Sequence, residues 1–75
     1  MKKQQKENPL KRLSPREYQV LELVVTGKTS KEISSIIGVK PSSIFTYRSR
    51  IMDKLEIDDI PNLVRLAIRH RMIKA

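Results

Sequence analysis

Residues 29–55 read TSKEISSIIGVKPSSIFTYRSRIMDKL, and the spacing inside this stretch decides the fold. Thr29-Ser30-Lys31-Glu32 is a capping box, in which a hydroxyl and a carboxylate three residues apart satisfy each other's backbone N–H groups. It opens a short helix carrying Ile33, Ile36 and Ile37. Gly38 stops that helix, because glycine enters positive φ without a Cβ penalty. Pro41 stands in the first turn of the next helix, where a missing N–H does no harm. Ile44, Tyr47, Ile51 and Leu55 then recur at i, i+3, i+7 and i+11, a helical stripe. With only Val39 and Lys40 between Gly38 and Pro41, the two helices are joined too tightly for an ordinary antiparallel hairpin.

The spacing is that of a helix-turn-helix. Ser34 is small where the helices cross, and Ile33, Ile37, Val39, Ile44 and Tyr47 lock the pair at a steep angle. Upstream, Ser14-Pro15-Arg16-Glu17 is a second capping box with proline at the first helical position. Val20, Leu21 and Val24 follow at helical spacing, and Gly27 supplies the stop. Downstream, Asp59 caps a fourth helix that tolerates Pro61 in its first turn and carries Leu63, Val64, Ala67 and Ile68 inside. No stretch alternates like a strand between turn signals. The expected architecture is all-α, with four helices.

Residues 1–12, MKKQQKENPLKR, hold five basic residues against one acidic, half of the chain's net charge of +8. Almost devoid of apolar side chains, they read as a flexible basic arm or linker, and residues 13–75 as the domain. At 75 residues there is room for one small domain, which buries only roughly 60% of its unfolded surface. The chain has no cysteine and one histidine, His70. Disulfides, thiolate zinc sites, a cysteine nucleophile and a Ser-His-Asp set are thereby excluded or hard to assemble. No glycine-rich phosphate loop appears, so an enzyme is not expected, nor is a cofactor. The longest apolar run, Leu23-Val24-Val25, is far short of the ~20 residues that span a bilayer. Met1-Lys2-Lys3 has no apolar stretch behind it, so no secretory signal is expected and the cytoplasm is the expected compartment.

Charge and the third helix carry the functional argument. A pI near 10.2 in a chain of 8.7 kDa points to a polyanion as partner. The only aromatics are Tyr18, Phe45 and Tyr47, too few for a single-strand stacking platform, so duplex DNA is the better match. Opposite the inward stripe of the third helix lie Ser42, Phe45, Thr46 and Ser49. Arg48 is on one shoulder, Arg50 and Lys54 on the other, and Lys40 precedes the helix. No acid occurs from Val39 to Met52. A polar centre between cationic edges suits a major groove, with base edges at the centre and phosphates on either wall. Phe45 is the odd member, an apolar ring that fits thymine methyl groups or a protein partner.

From Leu13 to Ile73 the chain resembles the LuxR-type, or GerE/NarL-type, DNA-binding domain of bacterial transcription regulators. The resemblance is carried by LSPREYQVLELVVTGKTSKEIS, VKPSSIFTYRSRIMDKLEI and LVRLAIRH. Within these, Glu17, Leu21, Gly27, Lys31, Glu32, Ile33, Ile44, Ile51, Lys54 and Leu55 stand at the family's signature positions. It implies four helices, the third entering the major groove and the fourth pairing in a dimer on DNA. It further implies the output domain of a two-component response regulator or of a ligand-sensing protein, or a stand-alone regulator. The expected base-contacting residues are Ser42, Phe45, Thr46 and Ser49. The expected phosphate-contacting set is Thr29, Ser30, Lys31, Lys40, Ser43, Arg48, Arg50 and Lys54.

The sequence departs from the pattern at four places. Lys40 replaces a capping Ser or Thr, a loss of ~1 kcal/mol. Gln19 replaces an acid, Ser34 an alanine, and Arg71 a helix-ending glycine, so the fourth helix is expected to run on or fray.

On that helix Leu66 lies about 120° from the stripe of Ile60, Leu63, Val64 and Ala67 at 100° per residue. Given the resemblance, Asn62, Arg65, Leu66 and Arg69 are the expected seam of a weak homodimer, mostly monomeric without DNA. Glu17 is expected to be structural, capping its helix and pairing a cation. RNA polymerase is a further candidate partner. The alternative function is a basic helical protein-interaction module contacting polymerase or a sensor domain, favoured by exposed apolar Phe45 and Leu66.

Overall fold

A computed structural model of the chain describes residues 8–72. A single 3-10 turn, Pro9–Arg12, leads into α1 (Pro15–Val25), α2 (Ser30–Ile37), α3 (Pro41–Leu55) and α4 (Ile60–Arg69), with no strand among the described residues. α3 packs against α1, α2 and the 3-10 turn, and α4 packs against α1.

The starts of the helices follow the capping chemistry. Ser14 Oγ accepts from the Glu17 N–H at 3.2 Å, and Glu17 Oε1 accepts from the Ser14 N–H at 2.8 Å. Thr29 and Glu32 repeat the arrangement at 3.1 and 2.8 Å. Asp59 Oδ1 accepts from the Asn62 N–H at 2.9 Å. Lys40 caps nothing, and α3 begins on Pro41 alone.

The ends share one geometry. After each helix an N–H reaches back five residues to a carbonyl: Lys28 to Leu23, Val39 to Ser34, Ile57 to Met52 and Met72 to Ala67, at 2.8–3.1 Å. This closure requires a left-handed residue just before that donor. Glycine supplies it at Gly27 and Gly38, whereas Glu56 (φ 58°) and Arg71 (φ 63°) supply it after α3 and α4 at a steric cost. The departure at Arg71 therefore has a defined outcome. Arg71 itself adopts the left-handed conformation, and α4 stops where a glycine would have stopped it.

One core joins the elements: Leu10, Val20, Leu21, Val25, Ile33, Ile44, Ile51, Leu55, Leu63, Leu66 and Ala67. Ser34 is buried at the α2–α3 crossing with its hydroxyl donating to the Lys31 carbonyl at 2.8 Å, so its polarity is satisfied there.

Two expectations are corrected here. Leu10 is 5% exposed and belongs to the core, so the packed unit begins at the 3-10 turn rather than at Leu13. Residues 1–7 of the expected arm lie outside the described residues. Leu66 is 8% exposed, not a solvent-facing seam residue. The apolar arc of α4 spans more than half the helix circumference. Docking on α1 selects the edge made by Leu63, Leu66 and Ala67, leaving Ile60, Val64 and Ile68 half-buried at the other edge.

Candidate nucleic-acid interface

The outer face of α3 is assembled as its periodicity requires. Ile44 and Ile51 are inaccessible and Leu55 nearly so, which fixes the helix's rotation about its axis. Ser42, Phe45, Thr46 and Ser49 are consequently all exposed, Phe45 by 60%. Lys40 and Arg50 are exposed beside them, and Ser43 and Arg48 are half-buried.

A cleft runs along each side of this strip. One, of about 240 Å³, is lined by Val39, Ser43, Thr46, Tyr47 and Arg50. The other, of about 200 Å³, lies across the start of α2, where Lys28, Thr29, Ser30 and Arg48 line it together with apolar Val24, Ile33 and Ile60. Each flank thus combines hydroxyls with a guanidinium, a donor set that matches phosphate oxygens. Thr29, Ser30, Lys40, Ser43, Arg48 and Arg50 are gathered around the strip, and Lys31 is exposed on the first turn of α2. Lys28 and Tyr47 join them, although neither stood in the expected contact set. Lys28 had a legible signal, its position just ahead of the Thr29 cap. Tyr47, on the inward stripe, is half-buried: it packs against the core and also lines the cleft.

Lys54 is tied to α1. Its ammonium donates to Glu17 Oε1 at 2.8 Å, so one of its hydrogen bonds is given to a buried acid of its own chain while the side chain stays 42% exposed. The Lys54 hydrogen bond, and after it the Ser14 N–H, hold the Glu17 carboxyl below its ordinary value against the opposing effect of burial. Arg12 adds a second tie at the same end of α3. It donates to the Lys54 carbonyl at 3.0 Å and lies 3.9 Å from Glu56. At the other end, Arg16 donates to the Ile37 carbonyl at 3.2 Å, satisfying a terminal carbonyl of α2. The two helices of the motif are thereby clamped to α1 and to the turn before it.

On α4, Asn62, Arg65 and Arg69 are exposed as expected, with Leu66 turned inward beneath them. His70 is half-buried and ends the helix rather than extending it. Among the described residues no group of three or more His, Cys, Asp or Glu side chains is placed to hold a metal ion. No helix among them is long and apolar enough to cross a membrane.

A four-helix unit with a tight α2–α3 turn and an exposed, cation-bordered α3 is a helix-turn-helix domain of the DNA-binding class. Residues 11–67 match the family described as bacterial regulatory proteins, luxR family, and the chain belongs to that family. Among its relatives are the transcriptional regulatory protein FixJ of Azorhizobium caulinodans, 41% identical over 56 residues, and the response regulator UvrY of Escherichia coli K12, 36% identical over 69 residues. The response regulator GacA of Pseudomonas aeruginosa is 36% identical over 72 residues. These matches cover 75%, 92% and 96% of this chain but 26%, 32% and 34% of the relatives, so the chain spans about a third of their length or less. The crystal structure of full-length FixJ from B. japonicum superposes with a TM-score of 0.81 at 36% identity, covering 88% of this chain and 32% of that one.

Proposed function

We propose that the chain binds double-stranded DNA sequence-specifically as part of a bacterial transcription regulator, with α3 in the major groove. The observation that carries this reading is the exposed strip of Ser42, Phe45, Thr46 and Ser49 between Lys40, Arg48 and Arg50, with no acid from Val39 to Met52. Attraction comes from cations neutralising phosphates, and selectivity from the strip together with DNA shape. The names of the relatives, transcriptional regulatory protein and response regulator, support a role as output domain, and a stand-alone regulator fits the same site. The cytoplasm is the compartment that reading requires.

On DNA, two copies sit on half-sites about one helical turn apart, joined through α4. With Leu66 in the core, the seam falls to the exposed face of Asn62, Arg65 and Arg69, with half-buried Ile68 as the apolar edge beside Arg65. So small an apolar edge makes the pair weak without DNA. A nanomolar dimer of the free chain in sedimentation would overturn that part.

The test of DNA reading compares three variants by fluorescence anisotropy on selected and random duplexes. Thr46→Ala and Ser49→Ala relax preference at particular base pairs. Arg50→Ala weakens every duplex alike and lowers the log–log salt slope by about 0.9. Equal loss on selected and random DNA for all three would sink the assignment.

A second reading has one observation in its favour. Ile36 is 53% exposed on α2, beside a groove lined by Lys28, Lys31, Glu32 and Ser35. A protein-interaction surface there, with RNA polymerase as candidate partner, is compatible with DNA on α3. As the sole function it predicts no shift of a mixed-sequence duplex at low salt.

A further inference from the structure

The four side chains of the exposed α3 strip carry three hydroxyls and one aromatic ring. None bears an amide, a guanidinium, an ammonium or a carboxylate. The two-pronged pairings that single out guanine (Arg or Lys on O6 and N7) or adenine (Asn or Gln on N6 and N7) therefore cannot be made from the centre of this face. A hydroxyl both donates and accepts, so it discriminates poorly between base edges. The remaining source of discrimination is apolar contact, and the thymine 5-methyl is the apolar group that a base edge presents in the major groove.

Phe45 is placed for that contact. It is the most exposed large apolar side chain among the described residues, at 60%. Ser42 and Ser49, one turn before and one turn after it on the same face, are short, so its ring is the largest group there. Arg50 lies off the strip in a flanking cleft with Ser43, and Arg48 lies in the opposite one. Both are positioned toward the walls of a groove rather than its floor. An exposed Phe ring in such a setting is an unfavourable surface in water, and this surface is removed on contact with a methyl group.

We infer that Phe45 is the thymine-reading residue of this domain: its ring seats against the 5-methyl group of a thymine in each half-site, and the neighbouring hydroxyls refine rather than set the preference. This rests on the DNA-binding reading above and names the chemistry that the site recognises.

The experiment is a pair of selections with the 75-residue chain from random-sequence duplexes. One library is synthesised with thymidine, and in the other deoxyuridine replaces it throughout, removing only the methyl group. The thymidine library converges on sites with thymine held at one position or more per half-site. The deoxyuridine library loses preference at those positions and keeps it elsewhere. Replacing one contacted thymine by deoxyuridine weakens binding about fourfold, and replacing one in each half-site roughly fifteenfold.

Phe45→Ala binds thymidine and deoxyuridine sites equally, with an unchanged salt slope, because Phe45 neutralises no phosphate. Its circular dichroism and melting match those of the wild type, since the ring is not part of the core. If the wild type binds both forms of its selected site equally, or if Phe45→Ala still separates them, the inference is overturned while DNA binding stands. If neither library yields a sequence bound above random, the DNA-binding reading fails as well.

Discussion

Glu17 and Lys54, 37 positions apart in the chain, meet at 2.8 Å and join the first turn of α1 to the last turn of α3. The carboxylate is 5% exposed and the lysine side chain 42%, so one partner is buried and the other stays at the solvent boundary. The same carboxylate oxygen accepts the Ser14 N–H. A single buried acid therefore completes the cap of one helix and anchors the end of the helix that carries the proposed DNA-reading face.

Removing that acid is expected to be expensive. Glu17→Ala loses two charge-assisted hydrogen bonds, and about 2–3 kcal/mol of stability is the expected reduction in a urea melt. The pH dependence has a definite sign. Because Lys54 and the Ser14 N–H hold the carboxyl below its ordinary 4.5 in the folded chain, this stabilisation is complete above about pH 4.5. It is lost as pH falls through the lowered folded value. Glu32, lowered chiefly by the Thr29 N–H, acts in the same direction. Glu17→Gln should therefore flatten the acid limb without abolishing it, and unchanged limbs would show that the pair contributes nothing.

The left-handed residue after α3 offers a gain. Glu56→Gly relieves the Cβ clash at φ 58° and gives up only an exposed, 3.9 Å pairing with Arg12, which is worth little. The expected net stabilisation is about 0.5–1 kcal/mol after the entropy cost of glycine, or a rise in Tm of several degrees. Glu56→Val, β-branched in the same conformation, should lower Tm instead.

Lys40 separates stability from binding. Lys40→Ser restores a hydroxyl at the uncapped start of α3 and should add about 1 kcal/mol in thermal unfolding. If Lys40 contacts a phosphate, the same variant reduces the salt slope of DNA binding by about 0.9. An unchanged slope removes Lys40 from the phosphate-contacting set.

Leu10 tests where the domain starts. Leu10→Ala should cost about 2–3 kcal/mol, the ordinary result of deleting a buried leucine. A silent substitution, as expected of a linker residue, would show that the 3-10 turn does not hold the core together.

The two edges of α4 should respond differently. Leu66→Ala destabilises the isolated chain by about 2–4 kcal/mol, because its side chain packs inward. Ile68→Glu, on the half-buried edge, should change stability by about 1 kcal/mol or less. It should also reduce affinity for a duplex with two half-sites to that for one. Retained cooperativity in the Ile68 variant would place the dimer seam elsewhere.

The elements themselves were legible because their signals are local. The Ser14–Glu17 and Thr29–Glu32 boxes, Asp59, Pro41 and Pro61, and the glycines at 27 and 38 each act within one helical turn, and each operates where its spacing put it. The rotation of α3 was legible for a similar reason. Its apolar stripe is narrow and singular, so one face could go inward, and Ser42, Phe45, Thr46 and Ser49 had to face out.

Packing between elements decided the rest. On α4 the apolar arc was too wide for a helical wheel to choose an edge, and only the surface of α1 turned Leu66 in and left Val64 and Ile68 at the margin. Leu10 gained a place in the core because the 3-10 turn that carries it packs against α3. Lys54 stays at the solvent boundary but turns its ammonium to a buried carboxylate 37 positions earlier in the chain. By itself the sequence determined where helices begin, where they end, and which side of α3 faces solvent, since these depend on contacts within four or five residues. Tertiary structure alone settled which of several apolar and charged side chains were drawn inward, because burial is a competition among distant surfaces for the same limited interior.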